Sequence, residues 1–544
     1  METGEFMDNV RIAVDVGGTF TDIALEHAEG MTTKKVLTTP DKPEEGVLSG
    51  IQSTLTEANI SPSEIKILIH GTTLATNALI ERKGAKVALI TTEGLRDSVE
   101  MAQENRFEQY DINIDRPKPL VPRYLRWGIR ERMNVNGEVL IQLEDKSIEQ
   151  LLPMIDKNQI EAIAIGLIHS YANSMHEEKI AECLSAARPD LSITLSSQVC
   201  PEIREYERQS TACANAYVQP LMSRYLTKLD EALHSMGFMC PFLLMTSGGG
   251  FTTLDTSIKF PVRLVESGPA GGAILATAIA KQCGIDNVLS FDMGGKTAKI
   301  CLIDDYTPQM TRTFEVARVY RNLKGSGLPL RIPAIEMVEI GAGGGSIAKV
   351  DDMKRISVGP ESSGASPGPA CYGQGGLDAT VTDADVILGR IDPKDFAGGA
   401  VKLAPEKADL ALQTAVGDQL SLNSSLSAFG VSEIVDENMA NAARVHAIEW
   451  GKDISARSMI AFGGAAPLHA LRLAEKLDIN KVIIPAGAGV GSAIGFLRAP
   501  ISYEVVRSRY MSLQYFDPNF VNELMKEMSE EAREIVTSGS DASE

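Results

Sequence analysis

A chain of 544 residues exceeds one ordinary hydrophobic core and predicts about two to four domains. Its 44% hydrophobic and 23% charged residues are those of a globular protein, and a formal net charge of -20 excludes a nucleic-acid partner, which demands clustered Lys and Arg. No apolar run reaches the roughly 18 to 20 residues of a membrane span, the opening Met1-Glu-Thr-Gly-Glu-Phe6 lacks a secretory pattern, and the scattered cysteines form no C-x-x-C pair, so the expected protein is cytoplasmic, with reduced thiols and no membrane contact.

Ile12 to Leu25 reads as a hairpin: a short apolar strand ends on Asp15, Gly17 and Gly18 turn the chain, Thr19 and Thr21 line the turn, and a second apolar strand leaves. Strands follow at Ile65–Ile69 and Lys86–Ile90, in a mixed α/β layer. Between them His70-Gly71-Thr72-Thr73 stops a strand and opens a helix, either as an anion or carbonyl site or simply as an N-cap. Gln103 to Arg132, rich in Arg, Asp and Pro, reads as a long surface excursion. A buried strand at 160–168, a helix at 175–187 and a second helix through Thr211–Tyr217, with a small apolar face against a sheet, come next.

Phe242–Met245 is a strand running into Thr246-Ser-Gly-Gly-Gly250, and Glu266-Ser-Gly-Pro-Ala-Gly-Gly272 opens a helix to about Lys281. Val288 to Leu302 then repeats the first hairpin, with Asp292 at the strand end, Gly294 and Gly295 in the turn, and Lys296 and Thr297 beside them. The glycine-dense stretch Gly341 to Gly373, which includes Gly343 and Gly344, reads as an ordered loop of an active site. A helix spans about Glu433 to Trp450, and Phe462-Gly463-Gly464-Ala465 forms another glycine turn before a helix. Trp127 and Trp450 are assigned to packing.

Two copies of an Asp-x-Gly-Gly hairpin point to one chemistry. Glycines let the backbone approach an anion, so that successive N–H groups face one phosphate, and hydroxyls add donors. A carboxylate repels phosphate, so Asp15 and Asp292 are read as holding Mg²⁺ or orienting a water. Gly463, Gly464 and Ala465 offer a flat surface for a purine and ribose. A nucleotide held between two related halves is the expectation.

The motifs, in order, resemble those of the hydantoinase A and oxoprolinase family, which also holds acetone and acetophenone carboxylase and caprolactamase subunits: DVGGTFTD from Asp15, HGTTLATNAL from His70, TSGGG from Thr246, ESGPAGG from Glu266, FDMGG from Phe291, EIGAGGGSIA from Glu339, SPGPACYG from Ser366 and FGGAAPLHA from Phe462. The resemblance implies an α/β, actin/hexokinase/Hsp70-like bilobal ATPase fold with duplicated mixed-sheet domains. It implies lobes at 1–240 and 241–500, and at 501–544 the start of a C-terminal region that A-type subunits extend into a β-rich domain. ATP with Mg²⁺ is the implied cofactor pair. ATP activates a cyclic amide carbonyl by phosphorylation before ring opening; the alternatives are ketone carboxylation, and a nucleotide-binding subunit without turnover. His70 and Glu266 become candidates for the substrate carbonyl beside Asp15 and Asp292. A B-type subunit is the implied partner, in a homo- or hetero-oligomer, with a lactam or ketone as substrate. Lys296 departs from the family's usual threonine, and Ala298-Lys299 from a common Thr-Asp: Lys296 either grips the β- and γ-phosphates or fills the cleft.

Overall fold

The computed structural model describes residues 10–18, 20–39, 42–318, 325–396, 399 and 402–538. Contacts divide the chain into two units, one of Met1–Gly71, Gly268–Met310 and Ile335–Ala499, the other of Thr72–Ser267, Thr311–Ala334 and Pro500–Glu544. These units interleave along the chain, where the sequence suggested consecutive segments with a boundary at 240. The physical reason is that residues 72–267 carry a parallel sheet with its own core, inserted into the sequence of the first unit.

The first unit begins with β1 (Val10–Val16), β2 (Phe20–His27), β3 (Gly30–Leu37), α1 (Pro43–Ala58) and β4 (Ile65–Thr72). The strands lie in the order β4, β1, β2, β3. Ile12, Ala13 and Val14 are fully buried, so β1 is central, whereas β3 is polar and carries Lys34 and Lys35, as an edge requires.

The second unit is built on β5 (Val87–Thr92), β6 (Arg126–Ile129), β7 (Ala162–Gly166) and β8 (Ser192–Leu195), parallel throughout in the order β8, β7, β5, β6. Its two central strands, β5 and β7, are buried along their whole length because both faces are covered. The long α2 (Glu205–Ser235) buries Thr211, Ala212, Ala214 and Ala216, the small face expected to pack on a sheet. The excursion predicted over 103–132 is corrected at its end: Arg126–Ile129 is a strand, with Arg126 and Trp127 buried. Two nitrogens of the Arg126 guanidinium are met by the Val121 carbonyl and Glu100, at 2.8 and 2.6 Å, while its buried Nη1 has no hydrogen-bond partner.

The chain returns to the first unit through α3 (Ser267–Cys283), β9 (Asn287–Met293), β10 (Ala298–Asp304), β11 (Thr307–Pro308) and β12 (Val338–Ile340). It continues as α4 (Val381–Ile387), α5 (Ser424–Glu449), β13 (Ser458–Phe462), α6 (Ala466–Lys476) and β14 (Val482–Ile483). The sheet order β11, β10, β9, β13, β14 repeats β3, β2, β1, β4: an antiparallel meander with further strands beyond its first member. Leu289, Phe291, Val431, Val435, Met439, Met459 and Leu473 form the core beneath it. This duplicated mixed-sheet α/β pattern is that of the actin/hexokinase/Hsp70 class.

Among the described residues no helix is long and apolar enough to cross a membrane. The seven cysteines form no disulfide, and Cys283 is exposed where it closes α3 at the surface. Trp450, assigned to packing, is also partly solvent-facing, as the C-cap of α5.

Candidate functional site

The two hairpins close in the same way. Gly17 N–H donates to the Phe20 carbonyl at 2.9 Å, and Gly294 N–H donates to the Thr297 carbonyl at 3.1 Å, each across three residues. Asp15 pairs with Asp22 across β1 and β2, and Asp292 with Lys299 across β9 and β10, so the aspartates occupy equivalent register positions. A Cβ built on Gly18 lies 3.6 Å from Lys296 Nζ, which brings the two loop tips face to face within the first unit. The glycines of α3 run beneath them: a Cβ on Gly268 lies 2.9 Å from Asp15 Oδ2, and one on Gly272 lies 3.7 Å from Asp292 Oδ2. Four residues apart on a helix is one face, so a single helix side serves both carboxylates.

Two more glycine turns dock here. Gly344 and Gly345 donate their N–H groups to the carbonyls of Gly294 and Gly295, at 3.1 and 2.7 Å. Thr382 anchors that loop, its N–H and Oγ1 both bonding the Gly344 carbonyl, at 2.7 and 2.8 Å. Ala465 N–H donates to the Met293 carbonyl at 2.9 Å. Gly463 has φ +96°, and a Cβ there strikes Asp292 Oδ1 and lies 2.6 Å from the Met293 carbonyl oxygen. Gly463→Ala is therefore expected to cost about 2–4 kcal/mol, through positive φ and overpacking. Urea denaturation of parent and variant checks this, and an unchanged midpoint contradicts it.

The carboxylates are electrostatically crowded. Burial, followed by repulsion from Asp22 and Asp292, pushes Asp15 up to about 7, against the pull of Lys35 and Lys299. Burial raises Asp292 to about 6 while Lys299 opposes it. Asp22 is raised by burial and restrained by its ion pair with Lys35, whose ammonium also lies 5.1 Å from the Phe20 ring centroid. Asp15 Oδ1 is buried with no hydrogen-bond partner. Among the described residues no group of three or more His, Cys, Asp or Glu side chains could enclose a metal. Mg²⁺ that arrives with phosphate oxygens and water needs only one or two carboxylates, and the orphaned Asp15 oxygen with Asp292 nearby fits that demand.

A cavity of about 410 Å³ opens beside these loops, entirely within the first unit. Gly294, Gly295, Gly344, Gly464 and Ala465 line it, as the nucleotide reading requires of them. So do Lys35, Tyr372, Thr382, Asp385, Arg390 and Phe396, none of which the sequence marked as a site residue. Tyr372 and Phe396 lie with ring centroids 5.6 Å apart, an aromatic wall suited to a base.

Other candidates sit elsewhere. Thr19 lies outside the described residues. Thr21 is buried with its hydroxyl 3.1 Å from that of Thr38, which in turn donates to the Gly17 carbonyl at 3.0 Å, so it supports the loop from behind. His70 is buried with its ring bonded to the Val14 backbone, and burial drives it down to about 3, keeping the imidazole neutral. Thr72 accepts the Leu74 N–H at 3.2 Å, whereas the N-cap of the helix that follows is Thr73, which makes no side-chain capping bond. Glu266 belongs to the second unit, at φ +62°, with its N–H bonded to Thr76 Oγ1 at 3.2 Å.

Comparison with known proteins adds an independent line. The hydantoinase/oxoprolinase family profile matches residues 208–505, and that of the hydantoinase/oxoprolinase N-terminal region matches residues 11–187. An uncharacterized protein of Methanocaldococcus jannaschii is 37% identical over 96% of this chain and 77% of its own. Caprolactamase subunit alpha of Pseudomonas jessenii is 33% identical over 96% of this chain and 75% of its own. The crystal structure of the ATP-dependent caprolactamase from that organism superposes with TM-score 0.84 at 30% identity, over 98% of this chain and 77% of the other. Nucleotide-free acetone carboxylase gives TM-score 0.82 at 25% identity, over 98% and 78%.

Proposed function

Since the chain belongs to the hydantoinase/oxoprolinase family, we propose that it is the ATP-binding subunit of an enzyme that opens a cyclic amide by phosphorylating its carbonyl oxygen. The observation that carries this reading is the convergence of two Asp-ended glycine hairpins, from two copies of one sheet pattern, on a single crevice beside a nucleotide-sized cavity. A hydantoin, 5-oxoproline or another lactam is the substrate class.

An amide resists water because nitrogen donates into its carbonyl. Attack of the carbonyl oxygen on the γ-phosphorus, with departure of ADP, removes that donation. Water then adds to the carbon, the ring C–N bond breaks as nitrogen takes a proton, and a second water releases phosphate from the acyl phosphate. In this chain the N–H groups of Gly18 and Gly295 face the phosphates while those of Gly17 and Gly294 close the turns, Gly464 and Ala465 carry the nucleoside, and Asp15 and Asp292 hold Mg²⁺ or orient the attacking group. Mg²⁺, when bound, neutralises charge that develops on the transferred phosphoryl group. Where Asp15 orients the attacking water and holds no metal, its pKa of about 7, raised by burial and the neighbouring carboxylates, suits it to take that water's proton at neutral pH.

The caprolactamase relative is named as an alpha subunit, which supports a second, B-type subunit as partner. The likeness to acetone carboxylase favours one other reading, in which an enolate and bicarbonate are activated. The test is an assay of the chain with its co-purified partner on a panel of lactams and ketones. ADP release that depends on a lactam and is indifferent to bicarbonate supports hydrolysis; strict dependence on bicarbonate and a ketone replaces it with carboxylation. Nucleotide binding without turnover on any substrate leaves a non-catalytic subunit.

A further inference from the structure

The chain's own two hairpins differ where they ought to match. In the first, the turn continues from Gly18 into Thr19, and the register partner of Asp15 is Asp22; in the second, Gly295 is followed by Lys296, and the partner of Asp292 is Lys299. A neutral residue and an acid in one copy are thus two cations in the other. Lys35 is paired with Asp22, and Lys299 approaches Glu339 at 3.6 Å. Lys296 is exposed, and among the described residues no ion pair or hydrogen bond engages its ammonium. That ammonium stands over Gly18 of the opposing loop, 3.6 Å from where a Cβ would be.

The geometry points to Lys296 as a phosphate-gripping residue that spans both glycine loops and lets the crevice hold a polyphosphate without a divalent cation. An ammonium on a flexible stem is a compact point charge that reaches phosphate oxygens from a loop tip. A Cβ at Gly18 would stand in ordinary contact with the ammonium, so the lysine tip lies within reach of a phosphate held on either loop. Turnover still draws on Mg²⁺; binding does not. The inference rests on reading the crevice as a nucleotide site.

The experiment is calorimetric titration of the full chain with a non-hydrolysable ATP analogue and, separately, with inorganic tripolyphosphate, each in Mg²⁺ and in EDTA. Parent, Lys296→Thr and Lys296→Arg are compared, with thermal melts to confirm folding; the residue is exposed, so the core is untouched. The parent is expected to keep its analogue affinity in EDTA to within about tenfold, whereas Lys296→Thr loses about 10- to 100-fold in EDTA and much less in Mg²⁺, and Lys296→Arg retains binding. Equal or tighter binding by Lys296→Thr in EDTA overturns the inference, and tighter binding identifies Lys296 as a plug. So does a parent that releases both ligands when Mg²⁺ is removed. Tripolyphosphate binding without binding of the analogue overturns the nucleotide reading but upholds the role of Lys296; failure of both ligands in both buffers overturns the two together.

Discussion

Asp15→Asn is expected to stabilise the free protein in alkaline buffer while removing ATP-dependent turnover. The buried Asp15 carboxyl binds its proton more tightly in the folded chain, at about 7, than its ordinary value of 3.8. Between those two values the folded state therefore holds more protons than the unfolded one, and stability falls as pH rises through the window. Asparagine carries no titrating proton and no charge, so it escapes that loss. From pH 5 to pH 8 the stability of Asp15→Asn relative to the parent is expected to grow by up to about 3 kcal/mol, since each pH unit between 5 and 7 contributes about 1.36 kcal/mol. Thermal melts of both proteins across that range measure it. Over the same range nucleotide-coupled ring opening is expected to drop by about 100- to 10,000-fold, the usual contribution of a positioned proton acceptor. A structural aspartate gives the opposite sign: lower stability at pH 8 and activity that scales with folded fraction. Either result removes Asp15 from the reacting centre.

The parts of this site that could be read from sequence are those whose physics is local. An apolar strand, an aspartate and two glycines within eight residues define a hairpin wherever they occur, and both hairpins formed as read, with matching turn bonds. That they would meet is a long-range fact, carried in the sequence only by the duplication. The supporting groups left no local trace. Lys35 reaches Asp22 because β3 lies beside β2, and nothing in a polar edge strand distinguishes that lysine from Lys34. Thr21 has the right residue type for phosphate, yet strand alternation turns its hydroxyl to Thr38 instead. Arg126 hid β6 because charge and nearby proline read as surface, and only its partners at Val121 and Glu100 explain its burial. The cavity's aromatic wall comes from Tyr372 and Phe396, which are 24 positions apart, with no spacing that pattern reading detects.

His469→Asn is expected to be strongly destabilising, at a cost that changes with pH. His469 Nδ1 lies 2.7 Å from Asp436 Oδ1 and its Nε2 lies 3.2 Å from Asp385 Oδ2, with all three side chains buried. Two carboxylate acceptors leave both ring nitrogens to donate, so the imidazole is a cation. Burial alone lowers its pKa, but the bonds and charges of Asp385 and Asp436 outweigh it and raise the group to about 9. Asparagine leaves the buried Asp436 without its counter-charge and Asp385 with Arg390 alone, a loss of about 3–5 kcal/mol for a broken buried pair. The parent's gain is complete below the ordinary histidine value of 6.5 and is lost as pH rises through about 9, so the gap between parent and variant narrows between about pH 6.5 and pH 9 and is constant beyond. Melts at pH 6 and pH 10 measure both quantities, and a gap that is small or constant with pH refutes the cationic assignment. The consequence reaches the cavity proposed for the nucleotide. Arg390 donates to Asp385 at 3.0 Å and to Ser432 at 2.8 Å, and both Asp385 and Arg390 line that cavity, so loss of the imidazolium releases the wall that α4, α5 and α6 hold together. Nucleotide affinity is then expected to weaken even in conditions where the variant remains folded.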